Sequence, residues 1–164
     1  MKRAFIPLSL ILLLSACGFH LRGMIDIPRW LNNVAIISPS PNPAFVTRLQ
    51  RQLEAYKIDV NPDPGQADYW IILNRIEFRQ QIVSIGSSTN PRQYQLSLLV
   101  GFTVQKRNGK VLQAEKQVQV SRQFTSNNDR ILGSDSEESI IVNEMRQDAV
   151  IQVLNRLEFI HNAD

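Results

Sequence analysis

The stretch "RQYQLSLLVGFTVQKRNGKVLQAEKQVQVSRQF", residues 92–124, alternates apolar and polar side chains twice, with a turn signal between the two runs. Over Arg92 to Lys106, the side chains of Tyr94, Leu96, Leu98, Val100, Phe102 and Val104 fall on one face. Gln93, Gln95, Ser97, Thr103 and Gln105 fall on the other. Successive side chains of a strand point to opposite faces, so this period of two reads as a half-buried β-strand. Asn108-Gly109 is a hairpin turn signal, because primed turns need positive φ at their central residues. A returning strand over Lys110 to Phe124 then places Leu112, Ala114, Val118, Val120 and Phe124 in register. The charged cluster Lys106, Arg107 and Lys110 at this turn has the chemistry to meet phosphate, but a charged hairpin end is commonplace and the solvated reading is preferred.

Upstream, the same period runs through Asp68 to Ile85. Trp70, Ile72, Ile76, Phe78 and Ile82 are expected on one face, with Arg75, Glu77, Arg79 and Gln81 on the other. The three segments form an antiparallel meander. At about 3.3 Å per residue its longest strands reach roughly 50–60 Å, far beyond the usual strand.

The flanks supply the remaining elements. "VAIISP" (Val34 to Pro39) is a short apolar, β-branched run and reads as a buried strand. After Pro43, the recurrence of Phe45, Leu49, Leu53 and Tyr56 predicts a helix over about 44–57. "NPDPGQ" (61–66) is a turn. Ser134-Asp135-Ser136-Glu137 has capping-box spacing, and Val142, Met145, Ala149, Val153, Leu157 and Ile160 predict a second helix over about 136–159. The order β-α-β-β-β-α implies an α+β fold with two helices packed on one face of a four-stranded mixed sheet with a long antiparallel meander.

The beginning of the chain is of another kind. Lys2 and Arg3 precede an apolar run from Ala4 to Leu14, then small residues, then Cys17, the only cysteine among 164 residues. The run is too short to span a bilayer core of roughly 30 Å, and its layout is that of an export signal. Leu14-Ser15-Ala16-Cys17 reads as a bacterial lipobox, in which Cys17 takes an S-linked diacylglycerol and, after cleavage, an N-linked acyl chain. One acyl chain gives only marginal membrane binding, whereas several on one residue hold a protein at a bilayer. Gly18, rather than Asp, follows the cysteine and favours sorting to the outer membrane by resemblance to bacterial lipoproteins.

With 18 Lys and Arg against 15 Asp and Glu, the loss of Lys2 and Arg3 leaves the two signs nearly balanced. No strong field argues for nucleic acid. Histidine occurs only as His20 and His161, one close to the anchor and one close to the C-terminus. No phosphate-cradling glycine loop, nucleophile elbow or metal-ligand spacing is present, so no cofactor, no metal and no catalysis are expected.

Three runs together resemble the LPS-assembly lipoprotein LptE family: "LSACGFHLRG" (14–23), "RQYQL" (92–96) and "SIIVNEM" (139–145). The resemblance implies residues 1–16 as signal peptide, 17–30 as a lipidated tether and 31–164 as an LptE-like α/β sandwich domain. It implies a non-enzymatic outer-membrane lipoprotein that plugs the LptD β-barrel, helps it assemble, and takes part in moving lipopolysaccharide to the outer leaflet. The domain then lies on the periplasmic side and within the barrel lumen. A polar, weakly charged sheet face suits such a lumen.

In a meander, the 86–92 and 125–135 loops share one tip. The resemblance implies basic lipopolysaccharide contacts there, since guanidinium and ammonium groups suit phosphate. At the matching positions this sequence has Ser87 and Ser134, and the nearest charges are Arg92 and Arg130; these four are the candidate contacts. The competing reading makes the two arginines ordinary solvated loop residues. Two other functions stay open on the residues alone: a pilot or binding partner of a secretin- or peptidoglycan-associated complex, and an envelope hydrolase.

Overall fold

The alternation over 92–124 becomes two long antiparallel strands, and the other elements are arranged around them. The computed structural model describes residues 25, 27–39, 42–84, 92–126 and 131–160. The expected export signal, Cys17, Ser87, Arg130, His20 and His161 lie outside the described residues. Along the chain the elements are β1 (Asn33–Ile37), α1 (Pro43–Ala55), β2 (Asp59–Val60), β3 (Tyr69–Ser84), β4 (Arg92–Lys106), β5 (Val111–Ser126) and α2 (Ile131–Glu158). They form one five-stranded sheet in the order β2-β1-β3-β4-β5, with two helices.

The mixed sheet and the two helices match the expected α+β architecture, with one strand more than the four anticipated. The addition is β2, which pairs in parallel with β1 through Asn33↔Asp59 and Val34↔Val60. Two residues are too few to show an alternation, so no sequence period announces it. β1 also runs parallel to β3 (Val34↔Tyr69 to Ile37↔Ile72), while β3, β4 and β5 are mutually antiparallel.

A second departure concerns β3. Its register against β4 shifts between the pairs Ile72↔Thr103 and Arg75↔Gly101, where β3 has Leu73 and Asn74 against the single residue Phe102. A bulge of this kind inserts one residue and reverses the face of everything beyond it. Ile71 and Leu73, both buried, therefore share the helix side with Ile76 and Phe78, and Trp70 and Ile72 turn to the opposite side. β5 is irregular in the same way near its start. Ala114 and Glu115 stand against Thr103, which takes the exposed Ala114 out of phase with Val118 and Val120.

The core lies between the sheet and the helices. Leu96, Leu98, Val100, Phe102 and Val104 of β4 are all buried, as the alternation predicts. Each fully buried side chain of this size contributes about 1.5–3 kcal/mol relative to exposure. In α1, Pro43 occupies the first turn and the Asn42 side chain accepts a hydrogen bond from the Phe45 N–H at 3.2 Å. Phe45, Leu49 and Leu53 point inward from it. Past its end, Lys57 takes a positive φ of 63° and the chain reverses into β2.

Helix α2 buries Met145, Ala149, Val150, Val153, Leu154 and Leu157 and lies over β5 and β4. It begins at Ile131, ahead of the anticipated 136, so Ser134 and the capping-box residues lie inside the first turns instead of at the cap. Gly133, Ser134 and Asp135 are weak helix formers, which is why a propensity-based boundary falls after them. Arg48 of α1 ties the helices together by donating to the Asn143 carbonyl oxygen (3.2 Å) and to Gln147 Oε1 (3.4 Å).

Candidate functional site

The register brings the end of β3, the start of β4, the end of β5 and the first turn of α2 to one tip. Ser84 pairs with Gln93, and Arg92 pairs with Ser126. Arg92 thus opens β4 at this tip, and Ser134 is in the first turn of α2. Ser87 and Arg130 belong to the two connecting segments, outside the described residues.

Beside the tip, the helix side of β3 carries part-exposed apolar residues with the exposed Gln80 between them. β1 pairs with β3 only as far as Ile72, so beyond the bulge β3 is an edge strand. Phe78 is 41% exposed and Ile82 53% exposed on the helix side of the sheet. Next to them, the Tyr94 and Phe124 rings stack with centroids 6.3 Å apart, Phe124 being buried. The sequence shows these apolar residues as inward-facing; the exposure follows from α2 lying over β4 and β5 instead of β3.

The other face of the sheet carries no helix and, apart from Trp70, Ile72 and Leu99, is largely polar over β3, β4 and β5. Ser97 and Ser121 hydroxyls lie 3.3 Å apart across β4 and β5, and Gln95 stands opposite Gln123. On β3, Arg79 and Glu77 form an ion pair at 2.7 Å. The Arg79 hydrogen bond holds the Glu77 carboxyl below its ordinary value, with further help from the charges of Arg79 and Arg75. Glu77 in turn raises Arg79.

At the opposite end of the sheet, Trp30, Tyr69, Lys106 and Arg107 line an open cleft of about 500 Å³. Sequence reasoning had no means of assembling it, because its walls come from three distant segments. Among the described residues no group of His, Cys, Asp or Glu could hold a metal ion, and no polar or charged residue is buried. No helix among them is long and apolar enough to cross a membrane.

A family model described as lipopolysaccharide-assembly, LptE, matches residues 31–157. The chain belongs to the LptE family. Its relatives include the LPS-assembly lipoprotein LptE of Photorhabdus laumondii, 30% identical over 155 residues, which covers 94% of this chain and 84% of the relative. The LptE of Pectobacterium atrosepticum is 28% identical over 149 residues, 90% of this chain and 79% of the relative. The LptE fold is also seen in solved lipoprotein structures. Lipoprotein B from Nitrosomonas europaea superposes with a TM-score of 0.71 at 21% identity, covering 86% of this chain and 90% of that one. A minor lipoprotein from Acinetobacter baumannii gives 0.67 at 18% identity, covering 80% and 93%. At these identities the likeness is one of fold, and it agrees with the helix-backed mixed sheet.

Proposed function

We propose that this LptE-family chain is a non-enzymatic outer-membrane lipoprotein, acylated at Cys17, that plugs the LptD β-barrel. In this role it assists barrel assembly and takes part in moving lipopolysaccharide into the outer leaflet. The observation that carries the reading is the family match across residues 31–157, joined by relatives whose names are those of LPS-assembly lipoproteins. The polar sheet face supports the plug role, because the lumen of a large barrel is itself polar. The tip with Arg92 and the uncovered Phe78 and Ile82 supports a contact with an amphiphile, with Arg130, Ser87 and Ser134 as further candidates.

The test is affinity purification of the tagged chain from detergent-solubilised outer membrane. A large barrel protein is expected to accompany it, and depletion of the chain is expected to reduce lipopolysaccharide at the cell surface. Absence of any barrel overturns the plug role. A secretin or a peptidoglycan-bound complex in its place would establish the pilot reading.

A further inference from the structure

We propose that the open edge of β3, from Arg75 to Ile82, is a docking edge for a strand of the barrel protein. An extended segment that the barrel chain folds into its lumen adds to the sheet there, with an acidic side chain set beside Arg75. This rests on the plug role proposed above and names a contact by which the barrel holds the chain.

The first observation is the backbone of the edge. β1 leaves β3 at Ile72, and no other described strand pairs on that side. The bulge at Leu73 and Asn74 sits where β1 ends, and the next irregularity follows Ile82. The stretch between them, about 26 Å long, runs uninterrupted. The register also fixes where its backbone groups point. The Arg107 N–H donates to the Asp68 carbonyl oxygen at 2.9 Å, so Asp68, and with it Trp70 and Ile72, direct their N–H and C=O groups at β4. Along a strand, residues on one face share one hydrogen-bonding direction. Arg75, Glu77, Arg79 and Gln81 share the face of Trp70 and so bond to β4, whereas Ile76, Phe78, Gln80 and Ile82 present their backbone groups to the open edge. Such a row of unpaired donors and acceptors is a template for another strand.

The second observation is what flanks the edge. Free edges are usually blunted by charge, proline or a bulge. On β5, at the opposite side of the sheet, every exposed side chain from Glu115 to Thr125 is polar or charged. β3 instead exposes Phe78, Ile82 and Val83.

The occupant follows from the enclosure. A domain within a lumen has the barrel protein beside it. The wall strands of a barrel are hydrogen-bonded to one another, so the donor is a segment of that chain outside the wall. Its alternate side chains stand beside Phe78 and Ile82 on the helix side and beside Arg75, Glu77 and Arg79 on the other. It extends the sheet next to Phe78 and Ile82 and does not lie over them. Glu77 already pairs with Arg79 at 2.7 Å. Arg75 is exposed and makes no hydrogen bond or ion pair among the described residues, and it is the charge that calls for an acidic partner.

The experiment uses the full acylated chain, alone in detergent and in complex with the barrel purified from outer membrane. Residue-resolved hydrogen exchange reads the amides of Ile76, Phe78, Gln80 and Ile82. They are expected to exchange freely in the isolated chain and about tenfold or more slowly in the complex, with those of Glu77, Arg79 and Gln81 protected in both. Gln80→Pro removes one edge-facing donor where an edge strand tolerates proline. It is expected to keep the urea midpoint of the isolated chain and to lower barrel recovery about tenfold, with Gln80→Ala retaining it. Arg75→Glu should lower recovery as well, and Arg75→Lys should not. The exchange measurement needs no substitution and decides the matter even where Gln80→Pro disturbs the fold. Edge amides unslowed in the complex overturn the proposal. So does protection already present in the isolated chain, which marks a second copy where it grows with concentration and another segment of the same chain where it does not. The two levels stay separate. A wild-type chain that brings no barrel refutes the plug role and the strand with it, whereas a barrel that accompanies the chain and leaves the four amides unslowed refutes the strand alone.

Discussion

Asn74 of β3 donates its side-chain amide to the hydroxyl of Thr103 on β4, at 2.7 Å, on the face of the sheet that carries no helix. Asn74 is one of the two bulge residues set against Phe102, so this bond closes the irregularity that reverses β3. Without the extra residue, the strand could not bury Ile71 and Leu73 and also turn Ile76 and Phe78 toward the same side.

Asn74→Ala is expected to lower stability by about 0.5–1.5 kcal/mol, the net worth of one partly exposed hydrogen bond. Deleting Asn74 is expected to do far more. It forces either the pair Ile71 and Leu73 or the segment beyond the bulge onto the wrong face, at about 1.5–3 kcal/mol for each large side chain lost from the core. Urea unfolding of both variants checks this, and a deletion no worse than the alanine would show that the bulge does not set the register.

Phe102 and Phe78 lie on the same side of the sheet and differ in cover. Phe102 is fully buried and Phe78 is 41% exposed. Phe102→Ala should cost about 3–5 kcal/mol through lost transfer energy and a residual cavity, and Phe78→Ala a minor fraction of that. Equal losses in denaturant midpoint would mean that Phe78 is covered after all.

Much of this layout is legible in the amino-acid order, and the misses have physical causes. Residues 92–106 alternate with Leu99 as the one large apolar residue out of phase, so the buried face of β4 can be read residue by residue. The segment 69–84 also alternates, but a bulge adds one residue without leaving a mark, and Trp70 and Ile72 are assigned to the wrong side. β2 is invisible because two residues have no period. The shared tip follows from the meander alone, whereas the cleft at the other end needs Trp30, Tyr69 and Arg107 to meet from separate segments. Nor does periodicity reveal which apolar residues the helices leave bare, so the exposure of Phe78 and Ile82 becomes visible only once α2 is placed over β4 and β5.

Arg122 of β5 forms an ion pair with Asp148 of α2, the two side chains being 46% and 39% exposed. Solvent screens so open a pair, and a double-mutant cycle with R122A and D148A should give a coupling below about 1 kcal/mol that vanishes at high salt. A coupling of several kcal/mol would imply a desolvated pair.

Glu77 provides the pH dependence. Its carboxyl is held below the ordinary value of 4.5, first by the Arg79 hydrogen bond and then by nearby positive charge. A depressed folded pKa means that the group's contribution is present above the unfolded value and is lost as pH falls through the folded one. Glu77→Gln should therefore flatten the acid side of the stability profile by slightly lowering the denaturant midpoint above the unfolded value, where the pair contributes, and by converging with the wild type as pH falls through the folded value. A difference that persists undiminished in acid, below the folded value, would contradict this assignment.

The lipopolysaccharide contacts proposed for the far tip make the last prediction. Arg92 stands where β4 begins, and Arg130 immediately precedes α2, so both belong to the segments that meet at this end. A guanidinium on phosphate is a charge-assisted bond worth about 1.5–3 kcal/mol, so R92Q and R130Q should each weaken binding of purified chain to lipopolysaccharide by about one to two orders of magnitude. Ser87→Lys and Ser134→Lys should strengthen it, since each adds an ammonium group to the same end. The opposing signs matter, because a fold defect lowers binding in every variant and never raises it. Binding that ignores all four positions would mean that the tip is a solvated end and that lipid meets the chain elsewhere, with the uncovered Phe78 and Ile82 the next residues to substitute.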